Sequence, residues 1–523
     1  MNPRYLKKLL PMASFFLMLG ATSCVNDLNV EPIDPSVSQN FNQNQVFSKI
    51  YATMALTGQS GPSGNGDVDG IDEGTSGFYR LIWNLNELPT DEALCAWGDP
   101  GVPELNFGGW SASHDQITGM YGRLNFDVTL CNHFLEQTEG KTDAETVRQR
   151  AETRFIRALN FYYLLDFYGN VPFTEVVSDT PPMQINRADL FKYIEKELTE
   201  IEEDMYDVKT APYGRADKAA NWLLKSRLYL NAEVYTGTPR WADAATYAKK
   251  VMDSSYKLAD AYEHLFMADN DQIGMNTARQ EIILPIAADG VRTRSWSTTF
   301  FLIASTHTEG MLAWGMSDGW GGNRARASLI KKFFPNGEVP GNADDKDLTT
   351  GGDDRAMFFA KDRTVEIDKV SNFNEGWSVA KFSNNTVDPN IKTSDPKFPD
   401  TDVPFFRAAE AYLTYAEATL RAGGSQAEAL DAVNELRTRA NTYPLSSVTI
   451  ESVLDEKARE FYFEGHRRTD LIRYGYFAGS GSYNWDWKGG SKGGAALDSH
   501  YNLYPIPMTD MTANPNLTQN PGY

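Results

Sequence analysis

The stretch Glu456-Lys-Ala-Arg-Glu-Phe-Tyr-Phe-Glu-Gly-His-Arg-Arg-Thr-Asp-Leu-Ile-Arg-Tyr-Gly475, near the end of a 523-residue chain, governs the reading of everything before it. Val453, Leu454, Ala458, Phe461 and Tyr462 recur at close to helical spacing, so one face can pack. Gly465 suits a helix C-terminus, where a left-handed residue is tolerated. Thr469-Asp470 is expected to cap a second short helix through Leu471 and Ile472. Glu460, Glu464, Arg467, Arg468, Asp470 and Arg473 are interleaved with large aromatics, which a charge run made for solvent would lack. The pattern predicts a helix-turn-helix clamp with a partly buried ion-pair network, a device that fixes geometry more than it adds stability. A catalytic carboxylate cluster is the weaker reading of the same charges.

As a prior, 523 residues suggest two to four domains or one large irregular body. A hydrophobic content of 41%, with 11 Trp, 25 Tyr and 28 Phe, is ample for a core and argues against wholesale disorder. The formal charge is −21, and removing residues 1–23 takes Arg4, Lys7 and Lys8 away and leaves −24. An acidic body of that size repels nucleic acid and anionic membrane, while neutral ligands, cations and basic partners are compatible with it.

The N-terminus carries a local signal of its own. Arg4, Lys7 and Lys8 precede a short apolar run, Leu9 to Leu19, and Ala21-Thr-Ser-Cys24 follows at once. The run is too short to span a bilayer comfortably and has the flanks of a secretory signal. A Cys just after small residues resembles a bacterial lipobox, with Ala21 where a large aliphatic residue usually stands. Residues 1–23 are therefore read as a lipoprotein signal peptide, Cys24 as the lipid attachment site and 24–43 as a polar tether. Several acyl chains on one Cys would anchor the body firmly, since one chain holds only marginally. Cys95 and Cys131 remain; neither belongs to a CxxC pair, and one bond between them is permitted but not indicated.

Amphipathic periodicity predicts helices over Gln45 to Leu56, Glu145 to Tyr168, Asp189 to Met205, Arg215 to Tyr235 and Trp241 to Met252. It resumes over Phe405 to Leu420, Ala427 to Ala440 and Val453 to Tyr462, giving helices mainly in 142–255 and 404–463. Pairs of such helices, with Ala at contact positions beside Tyr or Leu, resemble degenerate tetratricopeptide units. The alternative is a set of ordinary helices in an α-helical domain. Glu281 to Pro285 reads as a short buried strand. Residues 58–115 and 257–403 are rich in Gly, Asn, Asp and Trp and read as long loops, where function usually sits.

The six histidines form no HExxH motif, and the chain has no GxSxG, no GxxxxGK[ST] and no Gly-rich dinucleotide loop. A glycosidase carboxylate pair has no fixed spacing, so 70 acidic residues neither mark nor exclude one. The loop aromatics say more. Trp97, Trp110, Trp296, Trp314, Trp320 and Trp377 fall in Gly-rich or polar context. A flat aromatic can take the C–H face of a sugar while polar side chains bond its hydroxyl edge, although loop packing explains most such residues. Asp269-Asn-Asp271 and Pro399-Asp-Thr-Asp402 offer hard oxygen donors of the kind calcium uses, on spacing that turns alone can also produce.

Arg459 to Arg473 is similar to the C-terminal signature of the SusD/RagB family of outer-membrane nutrient-binding lipoproteins. Tyr504-Pro-Ile-Pro507, Asn516 to Tyr523, Arg215 to Leu224 and the lipobox extend the resemblance over essentially the whole chain. Gly70 to Gly74, Ser76 to Arg80, Asn86 to Glu92, Phe266 to Asp271 and Trp485 to Gly490 resemble its starch-binding member in particular. The resemblance implies a mainly α fold, with tetratricopeptide-like helix pairs over 44–523 supporting a loop-rich face. It implies a non-catalytic, lipid-anchored protein of the outer-membrane surface that captures starch and maltooligosaccharides. The implied partner is a SusC-like TonB-dependent transporter. It places the glycan-binding arc at Trp97, Trp296 and Trp320, with Arg80 beside it and Asp99 in place of the expected Asn. It implies structural calcium at Asp271, Asp400 and Asp402. Another glycan or a peptide within the same family role is the alternative, and a glycoside hydrolase the more distant one.

Overall fold

The computed structural model describes residues 41–335, 337, 339–340 and 352–523; the basic leader, Cys24 and most of the tether lie outside these, as does most of the segment 336–351. The long helices begin where side chains can satisfy the first free backbone N–H groups. Asp143 caps Ala144–Phe167, Asn186 caps Arg187–Glu200 and Asp217 caps Lys218–Leu230 with bonds to two amides. Ser425 caps Gln426–Arg439, and Thr449 forms a reciprocal capping box with Ser452 at the head of Ile450–Phe461.

These helices pack in succession. Asp115–Gln137 lies on Ala144–Phe167, which lies on Arg187–Glu200, while Lys218–Leu230 packs on Trp241–Met252. Trp241–Met252 in turn packs on Ala408–Arg421, so two helical blocks that are distant in sequence join in one stack. Alanine makes the close approach possible: Ala219, Ala220, Ala244, Ala248, Ala409 and Ala416 are all fully buried. Leu413, Val433, Leu436, Val453 and Phe461 fill the spaces between. The strands Ile282–Ile286 and Val403–Arg407 pair antiparallel, bringing the two ends of the loop-rich segment 287–402 together. Three further two-stranded sheets are present among the described residues.

Two helices of ten or more residues fall where the sequence reads as irregular, besides short ones of six such as Val102–Phe107 and Ala327–Lys332. Phe78–Glu87 is helical, and Asp115–Gln137 is a helix of 23 residues ahead of the expected start near 142. Gly119 and Gly122, with several Asn, Asp and Thr, lower its helix propensity below what pattern reading detects. Both glycines have a packing reason: a Cβ on Gly119 would lie 2.6 Å from Ile71, and one on Gly122 would lie 3.1 Å from Val68. The helix expected from Phe405 starts at Ala408, because Val403–Arg407 is held as a strand.

The C-terminal signature folds as two helices, Ile450–Phe461 and Arg467–Arg473, joined by a turn in which Phe463 and Gly465 take positive φ. Thr469 and Asp470 lie inside the second helix and cap nothing; Thr469 donates to Asp166 instead, at 2.7 Å. The charges are buried and matched. Glu460 accepts from Arg407 at 2.6 Å and Arg355 at 3.1 Å, and also from Arg439. Arg407 reaches Glu464 at 2.7 Å and Glu281 at 3.0 Å. A second knot joins Arg473 to both oxygens of Glu417 at 2.7 Å, with Lys457 between Glu417 and Asp470. Burial pushes the Glu417 carboxyl up, but Arg473, Lys457 and Arg421 outweigh it and hold it at about 2.

Removing one member strands its partners in the interior. Glu460→Gln keeps the volume but leaves three guanidinium groups short of one negative charge, so it is expected to destabilise the fold by about 3–5 kcal/mol in denaturant titration. A loss below about 1 kcal/mol would place the network on the solvated side of that argument. Because Glu417 has its folded value below its unfolded one, its contribution is present at neutral pH and disappears as pH falls from about 4.5 toward 2.

Candidate functional site

Three of the loop tryptophans converge, although Trp97 stands 199 residues before Trp296 and 223 before Trp320. The strand Ala93–Cys95 pairs antiparallel with Asn323–Ala325, with Cys95 opposite Asn323. Trp97 follows the first strand and Trp320 precedes the second, so the pairing sets them side by side, ring centroids 6.2 Å apart at 61°. Trp296 stands on the other side of Trp320, at 6.2 Å and 48°. The order in space is Trp97, Trp320, Trp296. All three are half-buried.

One short helix, Thr299–Ala304, backs the whole arc. Phe300 packs on Trp296 at 4.7 Å and on Trp320 at 4.9 Å, and it is fully buried with Phe398 behind them. The next residue, Phe301, packs on Trp97 at 6.5 Å and carries the Arg80 guanidinium 4.7 Å from its ring centre. The Trp97 indole N–H donates to the Gly321 carbonyl at 3.0 Å. Gly322 leaves room for that ring, since a Cβ there would lie 2.3 Å from it. Phe300 and Phe301 give no sign of this role in the sequence, because apart from Trp296 the partners that define it, Trp97, Trp320 and Arg80, are brought in from elsewhere in the chain.

An open groove of about 560 Å³ runs past Trp296 and Trp320, edged by Arg80, Glu73, Asp318 and Lys397. Lys397 lies over the Trp296 ring at 4.9 Å and pairs with Asp318 at 3.1 Å, closing one side of it. Arg80 donates to the Gly74 carbonyl at 3.1 Å, while its Nε is buried and has no hydrogen-bond partner among the described residues. Burial pulls Arg80 down to about 10, against the charges of Asp72, Asp99 and Glu73. Asp99 itself is exposed at the tip of the loop after Trp97. Glu73 accepts from the Thr57 hydroxyl, and burial, reinforced by Asp72, pushes its carboxyl up to about 7.

The other loop tryptophans are structural. Trp110 and Trp377 are buried, and Trp314 stacks on the buried His307 at 4.9 Å. Cys95 and Cys131 are buried free thiols. Asp402 accepts from the Ala288 amide at 2.6 Å and the Tyr213 hydroxyl at 2.7 Å; Asp400 accepts from the Gly290 and Ser394 amides. Burial pushes Asp402 up to about 7, and Asp271 and Asp400 add repulsion to it. Among the described residues no three His, Cys, Asp or Glu side chains stand together closely enough to hold a metal ion by themselves. No helix of the described residues is long and apolar enough to cross a membrane.

The profile of the SusD family matches residues 353–523. The chain is similar over its whole length to the starch-binding protein SusD of Bacteroides thetaiotaomicron, with 46% identity across 557 aligned positions covering 100% of both chains. A SusD-like protein of Bacteroides ovatus is 24% identical over 77% of this chain and 71% of its own. Among solved structures, surface glycan-binding protein A from Bacteroides fluxus superposes with a TM-score of 0.67 at 21% identity, covering 92% of this chain and 100% of that one.

The position of Glu73 makes its titration visible. Its folded value lies above its unfolded one, so the folded state keeps a proton that the unfolded chain releases between about pH 4.5 and 7. Stability from this group therefore falls as pH rises through that window. Glu73→Gln mimics the protonated form, and its melting temperature relative to the unsubstituted protein is expected to climb from about pH 5 to about pH 8. A constant difference across that range would contradict the assignment.

Proposed function

The chain belongs to the SusD family, and we propose that it captures starch and maltooligosaccharides at the tryptophan arc without acting on them. It would hand them to a SusC-like TonB-dependent transporter while held to the outer membrane at the cell surface by lipid on Cys24. The observation that carries the reading is the contiguous Trp97–Trp320–Trp296 arc, whose rings are fixed from behind and edged by Arg80, with the Asp99 charge acting on that guanidinium. An α-glucan coils, and a curved row of flat faces meets successive sugar rings on one side. Arg80 spends an Nη1–H on the Gly74 carbonyl, and the other N–H groups of its guanidinium head leave donor capacity for a hydroxyl edge. Each stacking contact contributes on the order of 1 kcal/mol, so affinity is modest and release is easy. The fold alone does not fix the ligand. Full-length identity of 46% to a starch-binding relative, with flat residues at all three positions, favours α-glucan over another glycan.

The test is affinity electrophoresis in gels containing starch, beside a panel of other polysaccharides. Retardation by starch is expected for the natural chain and is expected to be lost in Trp320→Ala and Trp97→Ala, whose circular dichroism stays unchanged. Equal retardation in both variants would remove the arc. Maltoheptaose incubated with the protein is expected to keep its length, and shorter products would instead make the chain a hydrolase.

We also propose that Asp271, Asp400 and Asp402 hold a calcium ion, with backbone carbonyls and water completing the set. The support is the donor chemistry: burial raises Asp402, the charges of Asp271 and Asp400 add to it, and a hard dication relieves such crowding. Millimolar calcium is expected to raise the melting temperature, an effect reversed by chelator and absent in Asp402→Asn. An unchanged melting temperature would remove the ion from the reading.

A further inference from the structure

A groove of about 400 Å³ lies apart from the arc, and no residue lines both. Its lining includes Lys209, Tyr213, Tyr256, Arg279 and Ile283, and it holds three cations and no carboxylate. On a chain with 70 acidic side chains against 49 basic ones, that segregation is unexpected. One of the three cations, Arg215, is neutralised by Glu152 at 2.6 Å. The other two are not. Arg279 lies over the Tyr213 ring at 4.6 Å and makes no hydrogen bond or ion pair with the described residues, the Asp271 charge acting on it only through space. Lys209 crosses over the Tyr256 ring at 4.7 Å and donates its ammonium to the Ser255 and Gln280 carbonyls rather than to a carboxylate, although the Asp217 charge acts on it through space.

The nearby carboxylates are turned elsewhere. Asp217 and Asp402 receive the hydroxyls of Tyr256 and Tyr213. Lys209 also has φ +61°, a left-handed backbone that a non-glycine side chain rarely adopts, and its amide is held there by Asp217 at 2.8 Å. Such a residue persists only where its surroundings over-determine it. Here the result is to lay an ammonium across an aromatic floor.

We propose that this groove is a second ligand site and that it takes a carboxylate-bearing sugar, a hexuronate or a short oligomer of one. The Arg279 guanidinium is the unpaired fork that a carboxylate fits, with Lys209 as the second charge. Ile283 and Pro285 line the floor, and Ile273, exposed in the same groove, gives it an apolar surface for the C–H face of the sugar. A bare inorganic anion would meet the cations but leave most of that floor uncovered. A neutral sugar would leave both cations unmatched.

The experiment is calorimetric titration of the full chain with digalacturonate at low salt, with sodium sulfate and maltoheptaose in separate arms. Saturable digalacturonate binding is expected, weakening as salt rises. Arg279→Gln is expected to weaken it about tenfold or more, since it removes a charge-assisted pair. Lys209→Gly should weaken it too while relieving the backbone, so its melting temperature is held or raised. Maltoheptaose binding should be untouched in both variants, which separates this site from the arc whether or not the arc takes α-glucan. No heat with digalacturonate, equal affinity in Arg279→Gln, or equally strong binding of sulfate would each overturn the proposal.

Discussion

A guanidinium taken out of water is expensive unless a carboxylate follows it in, and Glu460 meets that condition for three at once. Its partners come from separate parts of the chain: Arg355 from the loop before Phe358–Phe359, Arg407 from the end of a strand, and Arg439 from the last turn of a helix. Glu281 binds the last two again from the head of the opposing strand. None of these elements can shift alone without leaving a charge unmatched in the interior. The network therefore acts as a register mark for the loop-rich half against the helical stack, and well-packed apolar residues of the same volume would match its stability without supplying that register.

The same stretch reaches the arc. The Arg467 fork takes both oxygens of Asp91 at 2.7 and 2.8 Å, two residues before the strand that leads to Trp97. Glu87 receives the Gly465 amide at 2.6 Å, and the Trp83 indole donates to the Phe463 carbonyl at 3.0 Å. Both belong to the helix that carries Arg80. The left-handed residues Phe463 and Gly465 turn the chain so that these groups face that helix, and a Cβ on Gly465 would stand 3.2 Å from Ile82. Scaffold and site are therefore joined by a few buried polar contacts between positions nearly 400 residues apart in sequence.

How much of this was legible depends on where each signal lives. The interleaving of charge with Phe and Tyr in 456–475 marked a buried network correctly, because solvated helices do not combine the two. Periodicity found the helices whose apolar faces are regular. It missed Asp115–Gln137, where glycines serve contacts made by the 66–76 loop, and it placed Thr469 at a cap because Thr-Asp is a good local capper whatever lies across from it. The six loop tryptophans looked alike in sequence. Only pairing between strands that open and close an interval of about 230 residues separates Trp97 and Trp320, in the arc, from Trp110 and Trp377, in the core. Phe300, Phe301 and Lys397 had no local signal, since what they do is defined by partners brought in from elsewhere.

The division of labour explains why a shared scaffold and a particular ligand are separable. The clamp tolerates little change, because each member has two or three buried partners. The groove edge is different. The Lys397–Asp318 pair is partly exposed, and such pairs contribute at most about 1 kcal/mol. Asp99 stands at an exposed loop tip, where substitution disturbs no packing. What holds the rings in place is the buried pair Phe300 and Phe301, so the tryptophan faces are oriented before any ligand arrives and little freedom is lost on contact. A site built this way can alter its hydroxyl-reading edge residue by residue while its flat faces stay fixed. Identity of scaffold therefore says little about which glycan is read, and the spacing and backing of the three rings say more.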